Sequence, residues 1–137
     1  MLALSIQQPH AWLILHAGKN IENRTWMTHY RGMIAIHAPQ KVDMAYFFRE
    51  DLYTPNWERL PDPAIIDLAP ATRAGYATGG IVGVATLVDV IYGQGIHNPW
   101  FLGPYGWVLR DARPVPFVPY PGRLGLFAVP DRLIVLG

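Results

Sequence analysis

Most apolar residues of this chain come in short runs cut apart by glycine and proline, and that punctuation limits the fold more than any other feature. Residues 2–6, 21–26 and 33–37 read as strands. Residues 81–92 read as a long β-branched strand in which Gly83 marks a bulge or bend. Residues 106–110, 115–118, 124–129 and 132–136 read as further short strands. Many short strands broken in this way predict a small β-barrel rather than a βαβ sheet.

Helix is expected in few places. Pro9 suits a first helical turn, Ala11, Trp12, Leu13, Ile14 and Leu15 are continuously apolar, and Gly18 is a natural stop. An N-terminal helix buried on most sides is therefore expected. Residues 39–79 look like an excursion of different character. Met44, Phe47 and Phe48 give residues 41–50 a helical stripe, Pro55, Pro61, Pro63 and Pro70 follow, and Asp62-Pro63 signals a short helix over 64–68. At 137 residues, 51% hydrophobic and 15% charged, the chain reads as one well-buried α+β domain, mainly β. Without cysteine it has no disulfide, thiolate metal site or thiol catalysis. No apolar run spans a membrane and no positive leader opens the chain, which predicts a cytoplasmic protein.

The run Gly18-Lys19-Asn20-Ile21-Glu22-Asn23-Arg24 sets three charges where the helix hands over to a strand, and Lys19 is one of only two lysines. Glu22 and Arg24, two apart, share a strand face, and Lys19 folds over the same edge. One reading is an ion-paired structural cluster. In the other, Lys19 and Arg24 hold an anion or a base edge while Glu22 accepts from an amino group, or Lys19 and Glu22 work as an acid/base pair. The net charge of +1 speaks against a footprint for long duplex nucleic acid.

Trp26, Tyr30, Trp100, Phe101, Tyr105 and Trp107 form an aromatic set, several in the Pro/Gly-rich segment from Asn98 to Trp107. Such residues either stack on bases or plug the end of a barrel, and the core reading suits Trp107 best. The five histidines lack metal-ligand spacing, so no metal and no cofactor are expected. Ser5 is the only serine, and nothing in the sequence pairs it with a particular histidine.

Leu4-Ser5-Ile6-Gln7-Gln8-Pro9, Lys19-x-x-Glu22-x-Arg24-x-Trp26, Tyr30-Arg31-Gly32 and Ile34-Ala35-Ile36-His37-Ala38 together resemble the ASCH domain family. The later Pro99-Trp100-Phe101 to Leu109 and Gly122 to Phe127 look like its C-terminal half. Against the family motif GxKxxExR, Ala17 stands at the glycine position, while Lys19, Glu22 and Arg24 match. The resemblance implies a PUA-like barrel and binding of RNA, single-stranded DNA or a modified base. Some relatives are amidohydrolases that use a Lys and a Thr of this motif. Here Glu22 stands at the Thr position, so that activity does not carry over.

The leading expectation is thus a binding module for nucleic acid or a nucleotide. Gln8, Lys19, Glu22, Arg24, Trp26, Arg31, Trp100 and Tyr105 are its candidate ligand-binding residues. A hydrolase acting on a modified nucleoside or RNA through Lys19 and Glu22 is the alternative, and a protein-interaction adaptor a third.

Overall fold

The computed structural model describes residues 1–43, 70 and 73–136. Its elements are β1 (Leu2–Ser5), α1 (His10–His16), β2 (Ile21–Arg24), β3 (Gly32–Ala38), β4 (Gly80–Tyr92), β5 (Tyr105–Pro119) and β6 (Leu126–Ala128). The strands form one sheet in the order β2-β5-β4-β3-β1-β6, in which β1 and β3 are parallel and the other pairs antiparallel. The mainly β class with a helix is as expected, but the barrel is not closed. The two outer strands, β2 and β6, are only four and three residues long and do not pair with each other. Strands that short offer few backbone groups for a closing ladder. A side chain spans the opening instead, the Arg24 guanidinium donating to the Ser5 carbonyl.

Alternation along the strands sends neighbours to opposite sides of the sheet. Leu4, Ile6, Ile34, Ile36, Leu87 and Trp107 pack with Ala11 and Ile14 of α1. Ala3, Ala35, Ile81, Val84, Phe127 and Ile134 form a second cluster. Gly83 allows α1 its seat, because a Cβ there would meet Leu15 Cδ2 at 2.4 Å and the Arg113 carbonyl at 2.7 Å. The expected irregularity at Gly83 is present as a register shift between β4 and β5. Gly18 ends the helical segment with φ 74°, a left-handed conformation that favours glycine.

Two expected strands, 106–110 and 115–118, are one continuous strand, β5. Residues 105–108 pair on both sides, with β2 and β4, whereas residues 113–119 pair with β4 alone. Pro114, Pro116 and Pro119 are tolerated there because the unpaired edge has no ladder to lose. Residues 132–136 are not a strand. A 3-10 turn spans Asp131–Leu133, and beyond it Ile134 is buried while Val135 and Leu136 are exposed. In the excursion, residues 41–43 are not helical, and the remainder of the expected helix over 41–50, with the helix over 64–68, lies outside the described residues. The excursion leaves and returns at one point, where the Gly79 N–H donates to the Ala38 carbonyl at 2.7 Å.

Candidate nucleotide-binding cleft

A cleft of about 420 Å³ occupies the opening between β2 and the end of β1. Lys19, Glu22, Asn23, Arg24, Trp100 and Arg123 are among its lining residues. The loop after α1 turns at Gly18, and the Lys19 N–H donates back to the Leu13 carbonyl at 3.1 Å, which points the lysine inward. Its side chain is only 5% exposed. The Lys19 ammonium donates to Nδ1 of His10 at 2.9 Å, and His10 Nε2 lies 2.8 Å from Oδ2 of Asp43.

Burial pushes the His10 imidazole below its ordinary range, the Lys19 charge pushes the same way, and the Asp43 hydrogen bond opposes them. A neutral ring fits both contacts: its Nε2–H donates to Asp43 and its bare Nδ1 accepts from Lys19. Burial also lowers the Lys19 pKa from the ordinary lysine value, against the opposing charges of Glu22 and Asp43, while Arg24 adds to the lowering. The result is a chain Asp43–His10–Lys19 that ends on an ammonium inside the cleft.

Glu22 is 8% exposed, and its Oε1 stands 3.9 Å from Arg24 Nε. The Oε2 of Glu22 and the Nε of Arg24 are buried and have no hydrogen-bond partner among the described residues. An acceptor and a donor thus sit side by side in the cleft wall. The opposite wall is held by Asn23, whose amide donates to the Trp100 carbonyl at 3.0 Å and accepts from the Leu102 and Gly103 N–H groups at 2.8 and 3.1 Å. This fixes Trp100 against Leu13 and Ile21.

The structure therefore brings Lys19, Glu22, Arg24 and Trp100 together, as the sequence suggested. Gln8, Trp26, Arg31 and Tyr105 do not line this cleft. Gln8 is buried, donating to the Ala77 carbonyl and accepting from the Trp12 N–H, each at 2.9 Å. Trp26 lies beyond the end of β2 and packs edge-on against Trp107 at 4.7 Å, its carbonyl taking the Trp107 indole N–H. Arg31 donates to the Thr28 and Tyr30 carbonyls, and Tyr105 packs on Tyr92 at 4.8 Å. His10, Asp43, Asn23 and Arg123 were not legible as partners. The nearest signal for His10 is its place beside Pro9 at the helix start, about two turns from the loop that carries Lys19.

Among the described residues no group of His, Asp or Glu is arranged to hold a metal ion, and no helix is long and apolar enough to cross a membrane. Residues 4–101 match the ASCH domain, and no curated protein matches the chain.

Proposed function

This chain belongs to the ASCH domain family, generally regarded as RNA-binding, and we propose that its cleft binds one or two nucleotides of RNA or single-stranded DNA, or a free nucleotide. The observation that carries this reading is the unpartnered pair formed by Glu22 Oε2 and Arg24 Nε. A buried polar atom left unpaired costs about 1–3 kcal/mol, so a ligand that supplies both partners gains most at this point. An exocyclic amine beside a ring nitrogen is such an edge, and adenine and cytosine present it. Lys19 and Arg123 then face the phosphate, and Trp100 offers a ring for stacking. A site of this size needs no strongly basic surface, which agrees with a net charge of +1.

Titration of intrinsic fluorescence with the four nucleoside monophosphates, short RNA and short single-stranded DNA tests this. Saturable quenching, strongest for adenine or cytosine and lost in Lys19→Ala and Arg24→Ala, is expected. Equal affinity in wild type and both variants would sink the proposal.

The Asp43–His10–Lys19 chain favours one second reading, a hydrolase acting on a modified nucleoside or on RNA. A lysine of lowered pKa, hydrogen-bonded to a neutral imidazole, has a route for losing its proton, and Glu22 supplies a carboxylate beside it. Binding without turnover over hours, with and without divalent metal, would exclude it.

A further inference from the structure

The parallel pairing of β1 and β3 sets Ser5 directly opposite His37. Ser5 Oγ lies 2.9 Å from His37 Nδ1, and His37 Nε2 lies 2.7 Å from the Tyr120 carbonyl oxygen. A carbonyl oxygen only accepts, so Nε2 carries the imidazole proton. The bare Nδ1 then accepts from the Ser5 hydroxyl. Hydroxyl, imidazole and an oxygen that fixes the tautomer are the relation in which a serine is activated as a nucleophile. The ring is 1% exposed and packs edge-on against Phe127 at 5.8 Å, so it is held in place.

Ser5 itself is partly exposed and stands in the wall shared by two clefts. The second cleft, of about 810 Å³, is lined by Ser5, His37, Tyr120 and Arg123 together with Lys41, and no carboxylate lines it among the described residues. Gly122 lies against the pair. A Cβ there would come within 3.0 Å of Ser5 Oγ and 2.7 Å of His37 Cε1, so the lack of a side chain at this position keeps space beside the hydroxyl. The Arg24 guanidinium, bound to the Ser5 carbonyl, places a positive charge beside the same residue.

We propose that Ser5 is a nucleophile with His37 as its base, acting on acyl esters that carry a negative charge and enter by the second cleft. The Ser5 oxygen bonds to the ester carbonyl carbon while its proton passes to His37 Nδ1. The carbon–alkoxy bond then breaks, and the departing alcohol takes that proton. Water, deprotonated by His37, attacks the acyl-serine, releases the carboxylic acid and restores the hydroxyl. This inference stands apart from nucleotide binding, because its test uses no nucleotide.

A fluorophosphonate probe, read by intact-mass and peptide mass spectrometry, reports the nucleophile directly. One adduct per chain on the peptide holding Ser5 is expected, absent in Ser5→Ala and slowed on the order of a hundredfold in His37→Gln. No adduct on the folded wild-type protein, or an equal rate in His37→Gln, overturns the proposal. Ser5→Cys provides a second reading, since the chain has no other thiol. Its alkylation by iodoacetamide should remain fast well below the ordinary thiol titration near pH ~8.5. Arg24, Lys41 and Arg123 also border the position, so the His37→Gln change is added to Ser5→Cys. A midpoint that rises with that change supports the pairing, and an unmoved midpoint overturns it.

Discussion

The Lys19 ammonium donates to Nδ1 of His10 at 2.9 Å, so the buried cation of this cleft rests on a neutral imidazole rather than on a carboxylate. Asp43 holds the far side of that ring at 2.8 Å. Three groups from α1, the following loop and the entrance of the excursion thus share two hydrogen bonds.

A first consequence is acid sensitivity. The folded protein holds His10 below its ordinary value of 6.5, so the unfolded chain binds more protons between that lowered value and 6.5. Stability therefore falls as pH drops through this window and is fully present above it. Urea unfolding at a series of pH values should show this acid limb. His10→Gln, which does not titrate, should flatten it even where it lowers stability at neutral pH. An acid limb of the same slope in both proteins would show that His10 is not its source.

The lysine gives the opposite limb. Lys19 is held below 10.5 by burial, so its charge is lost at a lower pH than on an exposed lysine. Affinity for a nucleoside monophosphate should fall as pH rises through that lowered value, by roughly tenfold if one charged hydrogen bond of about 1.5 kcal/mol is lost. Lys19→Arg stays charged throughout this range and should bind with a flat alkaline profile. Calorimetric titration between neutral pH and pH 10.5 separates the two.

Gln8 is a matter of fold rather than ligand. Its side chain joins the start of α1 to the returning end of the excursion by hydrogen bonds to Trp12 and Ala77. Gln8→Ala removes both of these partly buried hydrogen bonds and should cost about 1–3 kcal/mol of stability. Nucleotide affinity of the fraction that remains folded should change little. A large loss of affinity with unchanged stability would return Gln8 to the binding set.

What the sequence made legible follows from the range of each interaction. Lys19, Glu22 and Arg24 lie within six residues on one turn and one strand, so their meeting is a local property. Trp100 joins them because Asn23 binds its loop, an interaction across 77 residues with no periodic trace. Ser5 and His37 are 32 residues apart and meet only through a parallel pairing that the intervening α1 and β2 do not announce. The strand expected over 21–26 would have carried Trp26 along with Glu22 and Arg24, but β2 ends at Arg24 and the alternation ends with it. Proline in β5 was read as a break because sequence alone does not show that one edge of that strand is free.

Asn23 offers the sharpest separation between the two walls of the cleft. It reaches no phosphate in the proposed arrangement; its three hydrogen bonds hold the loop that carries Trp100. Asn23→Ala removes them and leaves two N–H groups and a carbonyl of that loop to find other partners, a loss of about 2 kcal/mol. The Lys19 and Arg24 side of the cleft remains as it is. Affinity for a nucleotide should therefore drop with the loss of stacking on Trp100, by about 1–3 kcal/mol. Affinity for inorganic pyrophosphate, which has no base to stack, should stay near that of the wild type. If both ligands weaken equally, Trp100 does not stack on the base, and the tryptophan wall belongs to the fold alone.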